Sequence, residues 1–138
     1  MLRGKFPSIV FSSVYKTAAR EREDQDDFLN AVARFETEAS AGEIMTTLRE
    51  IERTLKKDPP YPKGPRTIDL DLLLLDDEML KSVELEIPHP GMITRRFVLE
   101  PLCELIGEDA VYPGSATRFS DLLKKTLDQR CERTGLRL

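Results

Sequence analysis

Apolar residues alternate with a period of two in the front third of the chain and switch to a helical period after residue 40. Over residues 8–17, SIVFSSVYKT, Ile9, Phe11, Ser13 and Tyr15 alternate with Val10, Ser12 and Val14. The β-branched and aromatic content predicts a strand with both faces covered. Residues 28–37, FLNAVARFET, place Leu29, Ala31, Ala33 and Phe35 on one face and Asn30, Val32, Arg34 and Glu36 on the other, the pattern of a second strand. Between them AAREREDQDD, residues 18–27, is almost wholly charged and has no apolar residue larger than alanine. That composition predicts a solvated loop joining the two strands into a hairpin-like unit.

From Ser40 the pattern changes. Ser40 followed at the third residue by Glu43 is a capping box, and Ile44, Leu48, Ile51 and Leu55 recur at helical spacing, which predicts a helix over 41–56. Pro59, Pro60, Pro62 and Pro65 lack amide donors and turn DPPYPKGP into an extended loop. Thr67 to Leu75 is a nearly continuous apolar run and reads as a central strand buried on both faces. A turn at Asp76 and Asp77, a short strand VELEI at 83–87 and a Pro/Gly turn PHPGM come next. Helices are predicted over 93–106 and 118–131, the second with Ser120 and Asp121 as caps.

Composition narrows the class. The chain has 138 residues, 40% hydrophobic and 33% charged, which predicts one domain, 1–138, around a single core. A formal net charge of -4 gives no global support for nucleic-acid binding, so any anion must be gripped locally. Nowhere do about eighteen apolar residues run together, which argues against a membrane span. Cys103 and Cys131 lie far from any CxxC spacing and read as ordinary thiols in a reducing compartment; the expected location is the cytoplasm.

The chemistry concentrates in GPRTIDLDLLLL and IPHPGMITRRF. In extended chain, Asp69 and Asp71 project to the same side while Ile68, Leu70 and Leu72 face the other. Two like charges in a buried strand cost several kcal/mol unless something cationic compensates. A divalent ion is one solution, since magnesium usually takes one or two protein carboxylates plus substrate phosphates. Ion pairing with Arg66 or Lys63 is the other, and the DxD pattern alone leaves both open. Arg66, with its two-point phosphate geometry, and Lys57 and Lys63, as point charges, lie on the loop leading into the pair. The sole histidine, His89, sits between prolines, a setting that suits a turn as well as a phosphate contact, with Arg95 and Arg96 close behind.

GPRTIDLDLLLL followed by IPHPGMITRRFVLEPL closely resembles the 6-hydroxymethyl-7,8-dihydropterin pyrophosphokinase family of folate synthesis, and SSVYKT and DQDDFLNAVARFET extend the resemblance over about residues 8–113. The resemblance implies an α+β, ferredoxin-like α/β sandwich with a central, mostly antiparallel sheet. It also implies transfer of a pyrophosphoryl group from ATP to the pterin hydroxymethyl oxygen, releasing AMP, with two Mg2+ ions held at Asp69 and Asp71. Arg66, His89 and Arg95 match positions that contact ATP phosphates, and Glu52 matches one lining the nucleotide site. Lys57 stands where the family usually has arginine. Thr17 and Asn30 match the residues that read the pterin edge, and Phe28 and Phe97 match the aromatic pair that sandwiches its ring. Without the resemblance, Phe28 and Phe97 read as core residues.

Three departures accompany it. The strand, GSN-type loop and helix expected ahead of SSVYKT are absent, so the sheet should expose unpaired edges, and a monomer is expected unless a second chain fills the gap. The loop at 18–27 lacks the usual prolines and glycine, and the loop at 56–66 is one residue short and lacks a tryptophan and arginine cluster. The competing reading is a noncatalytic nucleotide-binding or partner module on the same fold.

Overall fold

In the computed structural model, residues 2–17, 28–57 and 69–138 are described. They fold as an α+β chain of short antiparallel ladders and helices, in two compact units: Met1–Ile9 with Phe35–His89, and Val10–Arg34 with Pro90–Leu138. The loop predicted at 18–27 and most of the one after the helix at 41–56 lie outside the described residues.

The first unit is organised by one long helix. After α1 (Leu2–Lys5), not foreseen from sequence, Phe6 stacks on Phe35 with ring centroids 3.9 Å apart. Helix α2 (Ala41–Lys57) begins as the capping box requires. The Glu43 N–H donates to Ser40 Oγ at 3.2 Å, and the Ser40 N–H reaches back to Glu43 Oε1 at 3.5 Å. Such a cap is worth about 1 kcal/mol. Ile44, Leu48 and Ile51 are buried on one face of α2, which is where most of the helix's stability originates.

The central strand expected over Thr67–Leu75 is not formed among the described residues 69–75, which join no ladder. Asp69 and Asp71 are exposed, and Leu70 and Leu72 to Leu75 are half-buried rather than covered on both faces. A strand in mid-sheet needs backbone partners on both edges. Here they come from elsewhere: side chains of α2 hold Leu70, and the Leu73 carbonyl accepts the His89 N–H at 2.9 Å. The predicted turn is present, with Asp76 at φ 49°. The strand expected at 83–87 shrinks to β6 (Glu86–Ile87), which pairs with β5 (Leu80–Lys81). Ser82 is the reason: its hydroxyl accepts the Leu85 N–H at 3.1 Å, closing a turn that consumes the residues between.

The second unit carries two small sheets. β1 (Val10–Phe11) pairs with β4 (Ala33–Arg34), and β2 (Tyr15–Thr17) lies between β3 (Phe28–Asn30) and β7 (Glu132–Arg133), all antiparallel. The predicted hairpin-like pairing therefore holds, but each long strand is split in two. Ser12 explains the break, because its hydroxyl accepts the Val32 N–H at 2.9 Å in place of a backbone carbonyl. The Ser13 N–H leaves the ladder altogether for Glu104. Among the described residues the strands form three small antiparallel sheets.

Helix α3 (Arg96–Ile106) packs on β2, β4 and α4 (Phe119–Lys124), burying Leu99, Leu102 and Phe119. A 3-10 turn, Met92–Thr94, precedes α3, so the helix starts three residues later than predicted. Gly107, at φ 86°, ends it and donates to the Cys103 carbonyl at 2.9 Å. The helix predicted over 118–131 stops at Lys124, where Lys125 and Thr126 tighten to bonds three residues back. Its N-cap is Arg118; Ser120 and Asp121 lie inside the first turn, not at the cap.

Candidate active site

In the first unit, α2 presents Arg49 and Glu52 to the chain segment that carries the aspartate pair. Glu52, although charged, is only 6% exposed. Its Oε2 accepts the Leu70 N–H at 3.0 Å and its Oε1 pairs with Arg49 Nη1. The same Arg49 nitrogen donates to the Leu70 carbonyl at 3.2 Å. Glu52 and Arg49 thus grip both backbone groups of Leu70, doing for this residue what a neighbouring strand would do. Burying the Glu52 carboxylate is tolerable because the exposed Arg49 guanidinium and the Leu70 N–H both satisfy it.

Fixing Leu70 orients its neighbours. Asp69 and Asp71 flank it and are both exposed, while Leu70 is half-buried. The desolvation cost inferred from sequence does not arise, since neither carboxylate is buried. Among the described residues no group of three or more His, Cys, Asp or Glu converges on a metal position. A pair of accessible hard oxygen donors nevertheless suits Mg2+, whose remaining ligands are ordinarily phosphate oxygens and water.

Arg49 also lines an open cleft of about 420 Å³, together with Met45, Thr46, Arg53, Glu84 and Leu85. His89 is half-buried at the end of the same unit and follows a cis Ile87–Pro88 bond. Lys63 and Arg66 lie outside the described residues. Lys57 closes α2, and its side chain is likewise outside what is described.

The second unit holds the remaining predicted residues. Thr17 and Asn30 sit on adjacent strands, and Asn30 Nδ2 donates to Thr17 Oγ1 at 3.2 Å. That bond leaves the Asn30 carbonyl oxygen, its second N–H and the Thr17 hydroxyl proton to address a ligand. Phe28, 56% exposed at the edge of the ladder, is not the core residue that hydropathy alone expects. Phe97 is half-buried in the first turn of α3, with the guanidinium of Arg95 5.7 Å from its ring centroid.

The adjacent arginines part company. Arg96 is consumed internally: it donates to Glu100 Oε1 from Nε at 3.2 Å and from Nη2 at 3.0 Å, and from Nη1 to the carbonyls of Leu127 and Gln129 at 3.3 and 2.8 Å. Arg95 is exposed.

A polar cluster that sequence reasoning missed pins α3 to the ladder beneath it. Glu104 accepts the Ser13 N–H at 2.9 Å, the Tyr15 hydroxyl at 2.7 Å and Arg133 Nη2 at 3.2 Å. Burial would raise the Glu104 carboxyl, but the hydrogen bonds from Tyr15 and Ser13 and the Arg133 charge outweigh it and hold the carboxyl below its usual value. Burial, seconded by Glu104, pushes the Tyr15 phenol up. Both thiols are raised mainly by burial. No sequence signal marks this cluster, whose members are separated by up to 120 residues along the chain (133 minus 13). Arg49 and Gln129 were also overlooked. For Arg49 the signal was available: it lies three residues before Glu52 on one helix face.

Comparison with known proteins gives a family match. A sequence model of 7,8-dihydro-6-hydroxymethylpterin-pyrophosphokinase matches residues 2–107. The chain is 38% identical over 122 residues to 2-amino-4-hydroxy-6-hydroxymethyldihydropteridine pyrophosphokinase of Haemophilus influenzae, covering 88% of this chain and 75% of that protein. It is 39% identical over 94 residues to the protein of the same name from Bacillus subtilis, covering 68% and 56% respectively. Folic acid synthesis protein fol1 of Schizosaccharomyces pombe is 36% identical over 127 residues, which cover 92% of this chain but 16% of that much longer protein.

Proposed function

The chain belongs to the 7,8-dihydro-6-hydroxymethylpterin-pyrophosphokinase family, and we propose that it catalyses the ATP- and magnesium-dependent transfer of pyrophosphate to 6-hydroxymethyl-7,8-dihydropterin in folate biosynthesis. The pterin hydroxymethyl oxygen attacks the β-phosphorus of ATP, the bond between that phosphorus and the α-phosphate oxygen breaks, and AMP leaves. The observation that carries the reading is the aspartate pair, exposed on either side of a residue whose backbone is held at both ends by Arg49 and Glu52.

Asp69 and Asp71 hold Mg2+, two ions in this reading, and bound magnesium neutralises charge on the triphosphate. Arg66, His89, Arg95, Lys57 and Lys63 contact the phosphates. Glu52 lines the nucleotide site and also holds the Leu70 N–H between the two aspartates. Thr17 and Asn30 read the pterin edge while Phe28 and Phe97 cover its faces, an arrangement in which stacking supplies affinity and the polar pair supplies discrimination. No side chain is assigned as general base, because placement and charge stabilisation suffice for transfer of this kind. The reading further takes residues 1–138 as one ferredoxin-like domain, monomeric and cytoplasmic.

The decisive experiment incubates the protein with ATP, Mg2+ and 6-hydroxymethyl-7,8-dihydropterin and measures AMP. Formation of AMP that disappears in Asp69→Ala and Asp71→Ala supports the enzyme. A folded protein that binds ATP yet releases no AMP is a noncatalytic module.

A further inference from the structure

Arg95 is an exposed residue whose backbone is held from an unexpected quarter. Its φ of -122° and ψ of 112° make it extended, between the 3-10 turn that ends at Thr94 and the first residue of α3. In extended chain the carbonyl of the preceding residue and the N–H of the following one point the same way. The side-chain amide of Gln129 meets both. Gln129 Nε2 donates to the Thr94 carbonyl at 2.8 Å, and Gln129 Oε1 accepts the Arg96 N–H at 3.0 Å. One amide thereby reproduces the two-bond contact of an antiparallel neighbour across Arg95.

The grip is returned. The Arg96 guanidinium donates to the Gln129 carbonyl at 2.8 Å and to the Leu127 carbonyl at 3.3 Å, while Glu100 steadies it from α3. A lone side-chain contact to a loop is readily lost to water, but here backbone and side chain of each residue are tied to the other, which removes much of the freedom either would regain on opening. Gln129 lies beyond residue 107, where the family match ends, in the turn that follows α4.

We infer that Gln129 is a positioning residue, which sets the direction of the Arg95 side chain by bracketing its backbone in reciprocal contact with Arg96. The inference rests on the reading of Arg95 as a phosphate contact. Arginine's value against phosphate depends on the orientation of its planar fork, so a shift of about 1 Å in its anchoring costs roughly tenfold to hundredfold in rate. Gln129→Glu can still accept the Arg96 N–H but cannot donate to Thr94, and Gln129→Ala can do neither.

The test is a double-mutant cycle on AMP formation, with kcat and KM for ATP and for pterin measured separately, and thermal unfolding recorded for each variant. Gln129→Ala should lower kcat/KM for ATP by roughly tenfold or more, with Gln129→Glu between it and the parent. In an Arg95→Ala background the same Gln129 change should cost little further. An equal loss in both backgrounds overturns the inference, because a merely structural contact multiplies whatever activity is present. So does unchanged kcat/KM in a folded Gln129→Ala. If Arg95→Ala itself keeps full kcat/KM for ATP, the phosphate-contact reading falls and the inference with it. If Arg95→Ala is impaired but the Gln129 variants are not, only the positioning role falls. Should Gln129→Ala fail to fold, Gln129→Glu carries the cycle.

Discussion

Glu52 Oε2 accepts the backbone N–H of Leu70 at 3.0 Å, so a buried carboxylate on a helix stands in for a strand at the residue between the two aspartates. Asp69 and Asp71 are therefore aimed by the backbone between them. Glu52→Ala leaves a partly covered N–H and the Arg49 charge without their acceptor, at a cost of about 1–3 kcal/mol. The fold should survive with a lower melting temperature, and kcat for AMP release should fall roughly tenfold to hundredfold. A variant that melts early but turns over normally would refute the positioning role.

The aspartates themselves should behave oppositely. Both are exposed, so Asp69→Asn and Asp71→Asn should change unfolding free energy by no more than about 0.5 kcal/mol. On the proposed metal-holding role, loss of either charge should nonetheless lower kcat by about 10²-fold or more. Differential scanning calorimetry beside the AMP assay distinguishes the two effects, and a large drop in melting temperature would contradict their exposure.

Acid should loosen the second unit through Glu104. Its carboxyl titrates below its unfolded value, so its contribution to stability is complete above the ordinary carboxylate range and is lost as pH falls through the lower, folded value. Tyr15 runs the other way: its phenol is raised, so its contribution is present below about pH 10 and disappears as pH rises through the folded value. In denaturant titrations across pH, Glu104→Gln should flatten the acid limb and Tyr15→Phe the alkaline one. An acid limb unchanged in Glu104→Gln would remove this carboxyl as its source.

Phe97 is half-buried with Arg95 beside its ring, so truncation should weaken pterin binding without emptying a core. Phe97→Ala is expected to cost about 0.5–1.5 kcal/mol or more in pterin affinity by calorimetry, the value of a stacked aromatic pair beyond its area. Unchanged affinity would exclude Phe97 from the ring contact.

What was legible in the sequence was local. The capping box at Ser40 and Glu43, the buried stripe Ile44, Leu48 and Ile51, the turn at Asp76 and the pairing of the two front strands all follow from spacing within a few residues. The motifs GPRTIDLDLLLL and IPHPGMITRRFVLEPL together likewise pointed to the family. Where the backbone of the first motif finds its hydrogen bonds was not legible. An apolar run predicts a buried strand only if neighbouring strands are available, and here Arg49 and Glu52 of α2 serve Leu70 in their place. The same holds for the split at Ser12, for Glu104 beneath α3 and for Gln129 at Arg95. Each depends on a polar side chain meeting backbone or partner residues 18 or more positions away in the chain. Period and propensity describe a residue's own element. Which distant amide or carboxylate completes its hydrogen bonds is decided only when the elements pack.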